Sequence, residues 1–166
     1  MTSTMTDPKT LERINLLHPK VREEVLELYY AITHALTGRC YCRFSYTLRT
    51  FAEQDAIYAQ GRNKPGKIVS NARGGYSYHN YGLAIDIVLI KDNKEAIWDT
   101  KGDYDKDGKS DWQEVVTIFK QYGWEWGGDW RFVDAPHFQK TFGYSIKQLL
   151  DMKIKNKVDA NGFVKI

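Results

Sequence analysis

Three side chains in this chain are spaced to hold a metal: His79, Asp86 and, far downstream behind a proline, His137. Two imidazoles and a carboxylate bind zinc while leaving one coordination position open for water, and that open position separates a catalytic zinc from a structural one. The segment Ser77-Tyr78-His79-Asn80-Tyr81-Gly82-Leu83-Ala84-Ile85-Asp86 carries the first two, seven residues apart, and Gly82 permits the turn that brings both back to one ion. A single histidine is more often an ordinary core or surface residue, and the chain has only four. Asp86 argues harder. A carboxylate inside Ala84-Ile85-Asp86-Ile87-Val88 is buried, and a buried charge needs a cation or dense hydrogen bonding. The pattern points to a zinc hydrolase.

Two further residues fit such chemistry. Asp134 stands three positions before His137, a spacing that places its carboxylate beside the metal but outside its ligands. There it would serve as general base and then acid; the plainer reading is a turn aspartate before Pro136. Arg49 precedes a capped helix, where a fixed guanidinium would stabilise an oxyanion or clamp a carboxylate, against the plainer reading of a surface ion pair.

A second metal signal lies in Asp103-Tyr104-Asp105-Lys106-Asp107-Gly108-Lys109-Ser110-Asp111-Trp112-Gln113-Glu114. Asp103, Asp105, Asp107, Asp111 and Glu114 fall at positions 1, 3, 5, 9 and 12 of an EF-hand calcium loop, Gly108 at position 6, and Lys109 offers its carbonyl at position 7. The alternative is a solvated acidic turn, with Asp111 as the cap of the next helix. Trp98–Gly102 does not read as an incoming helix, so the loop is grafted before one helix, and a structural rather than a sensor role is expected.

Around these residues, a helix is expected from His18-Pro19 to about Leu36, with Val21, Val25, Leu28 and Ile32 at helical spacing and Gly38 as its stop. His18 and His34 in that region read as structural. Arg43–Leu48 reads as a strand, Thr50–Glu53 as a capping box opening a helix to Gln60, and Arg62–Gly75 as a long polar loop suited to a cleft rim. Ala84–Ile90 reads as a central strand and 91–110 as a polar insertion. A helix follows over Trp112–Tyr122, then an aromatic-glycine stretch Trp124–Trp130. Pro136–Gln139 opens a short strand, Ser145 caps a last helix to about Met152, and the tail adds a strand. Aromatic residues of 124–132, Trp126 among them, are expected to line the cleft. The order of elements predicts an α+β fold, helices packed on a small, mainly antiparallel sheet. It forms a single domain over 11–166, behind a loose arm at 1–10, with the calcium loop inserted at about 99–114.

Net charge is +3 without a dense Lys/Arg block, which argues against nucleic acid. No apolar run reaches the roughly 20 residues of a membrane span. Cys40 and Cys42 are too close for an ordinary bridge and read as reduced thiols. The N-terminal residues lack the pattern of a secretory signal, so the chain is expected to be made in the cytoplasm.

The motif Ser77-x-His79-x-x-Gly82-x-Ala84-x-Asp86, with Asp134-x-x-His137, resembles the zinc peptidases of the D-alanyl-D-alanine carboxypeptidase group, peptidase family M15. Leu48-Arg49-Thr50-x-x-Glu53-Gln54 and Glu125-Trp126-Gly127-Gly128-Asp129-Trp130 are similar, more narrowly, to the L-alanyl-D-glutamate endopeptidases of bacteria and phage endolysins. The resemblance runs from about Leu17 to Leu149. It implies a single-domain zinc peptidase fold, with zinc on His79, Asp86 and His137, and Asp134 as general base. It also implies Arg49 on the scissile carbonyl, with Gln54 and Ser77 as supporting, substrate-binding groups. The implied reaction is hydrolysis of the L-alanyl–D-glutamate bond in the stem peptide of bacterial peptidoglycan, by a monomer released to the wall through a holin. Two rivals stay open at this level: a D-alanyl-D-alanine carboxypeptidase or dipeptidase, and a non-catalytic wall-binding module that keeps its metals for stability.

Overall fold

The structure is a computed structural model, and it describes residues 6–166. Its centre is β2, Ala84–Lys91, buried along nearly its whole length. Strand β1, Cys40–Tyr46, runs antiparallel along one edge of β2. The other edge is divided. Strand β5, His137–Gln139, pairs with Ala84–Asp86, and β3, Glu95–Ile97, folds back on Leu89–Lys91. Strand β4, Glu125–Trp126, closes the sheet outside β5, and every pairing is antiparallel. The expected α+β architecture is the observed one.

Helices complete the core. Helix α2, Pro19–Ala35, buries Val21, Val25, Leu28, Tyr29 and Ile32. Helix α4, Asp111–Gln121, buries Trp112, Val115, Val116 and Phe119. Both faces join Cys40, Cys42 and Phe44 of β1 and Ile85, Ile87 and Leu89 of β2 in one apolar cluster. Phe119 stacks on Phe138 with ring centroids 4.0 Å apart. Helix α3, Phe51–Ala59, and helix α5, Ile146–Ile154, both open with capping boxes, from Thr50 with Glu53 and from Ser145 with Gln148.

Several boundaries depart from the sequence reading. The expected arm at 1–10 is partly helical: Pro8–Ile14 forms α1, while residues 1–5 lie outside the described part. Asp7 anchors α1, its buried carboxylate accepting from Thr10 Oγ1 and from Arg43 on β1. Strand β1 begins three residues before Arg43 and ends at Tyr46, where a bulge sets Tyr46 opposite Asp86. Helix α2 ends at Ala35 through an extended Leu36 rather than at Gly38. Ser110, not Asp111, caps α4, its hydroxyl accepting from Gln113 N. The expected tail strand is a lone bridge between Val158 and Val164. Both cysteines are free and buried.

Candidate metal centre and its cleft

Side chains alternate along a strand, and this places the site. Ile85, Ile87 and Phe138 point into the apolar core, so Asp86 and His137 share the opposite face, where they are direct cross-strand partners. His79 comes from a 3₁₀ turn, Tyr78–Tyr81, that ends at Gly82 in the left-handed region with φ 69°. A Cβ at Gly82 would lie 2.4 Å from His18 N, so the turn packs directly on the start of α2.

His79 Nε2 lies 3.2 Å and His137 Nδ1 3.0 Å from the same oxygen, Asp86 Oδ1. The remaining ring nitrogens identify the protonation. His79 Nδ1 is 2.7 Å from the Thr47 carbonyl, which only accepts, so Nδ1 carries the hydrogen. Gln139 Nε2 donates to Glu125 Oε2, which turns Gln139 Oε1 toward His137 Nε2 at 2.9 Å and makes Nε2 the donor. Two bare imidazole nitrogens thus face one carboxylate oxygen. For neutral rings this is repulsive, and a cation or a proton in their midst relieves it. Outer partners that fix the tautomer in this way are what histidine ligands of a metal require. The residues fit zinc in donor type, in open coordination and in outer hydrogen bonding.

Electrostatics agree. Burial works against the Asp86 carboxylate, yet hydrogen bonds from His137 and His79, made once a proton sits on the nitrogens that face it, hold it well below the ordinary range. Burial alone would lower the His137 imidazole, and Asp86 outweighs it and raises it. Burial pushes the Asp134 carboxyl up, opposed by His137 and helped by Asp86.

These groups open onto a cleft of about 510 Å³ that contains Arg49, Ser77 and Asp134 beside the triad. Its far wall is Ile57, Gln60, Val69 and Ser70, from α3 and the loop after it. Arg49 is 9% exposed, stacks over Tyr46 at 4.8 Å and keeps Nη2 4.0 Å from Asp86 Oδ2. Its buried Nε has no protein partner. Asp134 N donates to Gly127 O, and a Cβ on Gly127 would sit 2.3 Å from Asp134 O, so this loop is clamped against the aromatic-glycine turn.

Two residues expected to touch substrate are committed elsewhere. Gln54 is fully buried: its Oε1 accepts from Arg49 Nη1, and its Nε2 donates to Ser70 Oγ and Ala72 O. It ties Arg49 to the rim loop instead. Trp126 packs against the core and donates its indole N–H to Ala135 O, which steadies the segment between Asp134 and His137. Ser77 does line the cleft, while its hydroxyl caps the 3₁₀ turn by accepting from His79 N. Sequence reasoning missed Thr47, Gln139, Glu125 and Asn80. Asn80 donates to Arg49 O and accepts from Gly75 N and Ser77 N, joining both halves of the cleft. Alternation of Gln139 with His137 on one strand face was the available signal for Gln139 alone.

The α+β domain thus presents, in an open cleft, a histidine–aspartate–histidine donor set that could hold a metal ion. The chain matches, over residues 70–140, the model of a peptidase family, M15, described as D-alanyl-D-alanine carboxypeptidase. It is 60% identical over 92 residues to the peptidoglycan L-alanyl-D-glutamate endopeptidase CwlK of Bacillus subtilis, which covers 55% of this chain and 55% of that protein. It is 38% identical over 101 residues to the L-alanyl-D-glutamate peptidase of Listeria phage A118, over 59% of this chain and 30% of that one. The chain therefore spans about half or less of the length of the curated relatives it matches. The fold is shared with the crystal structure of the Serratia marcescens L-Ala D-Glu endopeptidase ChiX, at TM-score 0.56 and 24% identity over 82% of this chain and 90% of that one. Among the described residues no helix is long and apolar enough to cross a membrane.

Proposed function

We propose that this chain is a zinc-dependent endopeptidase that hydrolyses the L-alanyl–D-glutamate bond of the peptidoglycan stem peptide. The observation that carries the reading is the meeting of Asp134 and Arg49 with the His79–Asp86–His137 cluster in one cleft. Zinc, held by those three side chains, supplies a Lewis acid. Asp134 takes the proton of the attacking water and returns it to the departing amine, a role suited to a carboxyl raised by burial. Arg49, braced by Gln54 and Tyr46, turns its remaining Nη donors to the oxyanion. Ser77 and the rim residues Val69 and Ser70 line the same cleft, where the peptide would lie. Peptidoglycan is met by a single copy of the chain. Calcium, the second ion expected from the sequence, has no part in this chemistry.

The test is digestion of purified peptidoglycan followed by mass analysis of the fragments. New L-alanine C-termini and D-glutamate N-termini are expected, and chelation should abolish them. Asp134→Ala should keep zinc and fold while losing hydrolysis; retained activity would remove Asp134 as the base. Release of free D-alanine instead would establish the carboxypeptidase reading.

A further inference from the structure

We infer that the Asp103–Glu114 loop is a built calcium site that fastens the start of α4 to the corner between α2 and β1. Asp103, Asp105 and Asp111 bring one carboxylate oxygen each within 4.8 Å of one another, and Asp105, Asp107 and Glu114 do the same. Asp105 belongs to both sets, so the two form one cage. No ion pair joins any of the five to a Lys, Arg or His among the described residues.

Acidic loops on a surface are common, and solvent satisfies most of them. Here three oxygens lie beyond its reach. Asp111 is 1% exposed; its Oδ1 accepts from Tyr104 N at 2.9 Å, and its Oδ2 is buried without a partner. Asp105 Oδ2 and Glu114 Oε2 are buried and unpartnered as well. A buried carboxylate oxygen with neither a hydrogen bond nor a counter-charge is strongly unfavourable. A hard cation removes that cost at all three positions at once.

The backbone is shaped for the same purpose. Lys106 and Gly108 take positive φ, 58° and 89°, and fold the loop so that Asp107 N and Gly108 N donate to Asp103. Ser110 Oγ donates to Thr100 O and Asp111 N to Gly102 O, closing the base of the loop before α4 begins. Five carboxylates suit calcium, which takes six to eight oxygens in flexible geometry; magnesium demands a tighter octahedron and keeps its waters. A Cβ at Gly38 would lie 2.6 Å from Asp105 Cα, so the cage rests on the α2–β1 corner. Filling it joins the first turn of α4, which carries Asp111 and Glu114, to that corner.

The experiment titrates the zinc-loaded full chain, freed of calcium, with calcium chloride and separately with magnesium chloride, following heat and melting temperature. One calcium per chain and a rise in melting temperature are expected, with magnesium at least roughly tenfold weaker. Glu114→Gln should weaken calcium at least tenfold; should that variant not fold, exposed Asp103→Asn asks the same question. Absence of heat and of a melting shift at about 10 mM calcium, the weak end for such loops, would overturn the assignment, as would unchanged affinity in the variants. Zinc is counted by metal analysis in every sample, so failure of the zinc reading stays distinct from failure of this one.

Discussion

Replacing Gly82 by alanine tests how the turn that carries His79 is held. Gly82 has φ 69°, and its new Cβ would meet His18 N at 2.4 Å and Leu17 C at 3.0 Å, backbone atoms that cannot rotate away. The left-handed conformation costs roughly 1–2 kcal/mol in a residue with a side chain. Relieving the contact means parting the two segments by about 1 Å, enough to break the hydrogen bond from His18 N to Gly82 O and lose about another 1 kcal/mol. The sum is about 2.5 kcal/mol, a fall in melting temperature of roughly 7–8 °C for a domain of this size. Gly143→Ala is the internal control, since Gly143 has φ 80° but a Cβ there meets nothing within 4 Å. It should lose only the conformational part, about 1.5 kcal/mol or roughly 4–5 °C. Circular dichroism melts of the metal-free proteins measure both. Zinc titration adds a second readout, because the same displacement moves His79, and Gly82→Ala alone should bind more weakly. If the two variants melt together and bind zinc equally, the contact with His18 does not set the position of the turn.

Further outcomes follow from other contacts. Gln54→Ala removes three hydrogen bonds, about 3 kcal/mol at about 1 kcal/mol each, and should lower kcat/KM with zinc content unchanged; an unaltered kcat/KM would detach Gln54 from the placement of Arg49. Gln139→Ala should weaken zinc by roughly 10–100-fold while the fold persists, and equal affinity would show that the His137 tautomer needs no outer partner. Burial holds the His18 imidazole below its ordinary range, with Nδ1 accepting from Lys20 N and Nε2 donating to Val164 O. The fold favours the neutral ring, so its contribution is complete above the unfolded value of about 6.5 and drains away as pH falls through the folded value. His18→Gln, melted across this range, should lose less stability on acidification than the parent; identical slopes would exclude His18 as the titrating group.

How much of this was legible depended on whether a residue's job is local. The capping boxes at Thr50 and Ser145 were readable because donor and acceptor lie within one turn. The clustering of His79, Asp86 and His137 was readable because a carboxylate in an apolar strand demands a cation or dense hydrogen bonding. Gln54 and Trp126 were misassigned because their partners, Ser70, Ala72 and Ala135, are backbone and loop groups that only the folded chain brings near. Helix α1 was hidden because its anchor, the Asp7–Arg43 pair, spans 36 positions. The turn into β3 rests on Asp92 and Asn93 at positive φ, residue types that tolerate this conformation without announcing a hairpin.

The shortness of the β2–β5 ladder gives the metal cluster a second office. Only three residue pairs, Ala84 with Gln139, Ile85 with Phe138 and Asp86 with His137, fix that register. A slip of one position would reverse every side chain of β5. Phe138 would then leave its stack on Phe119 for the cleft, and His137 would enter the core. Only the correct alignment sets an imidazole opposite Asp86, so an ion bound there would proofread the β2–β5 pairing. A misaligned sheet would be recognisable as a chain that cannot retain its metal.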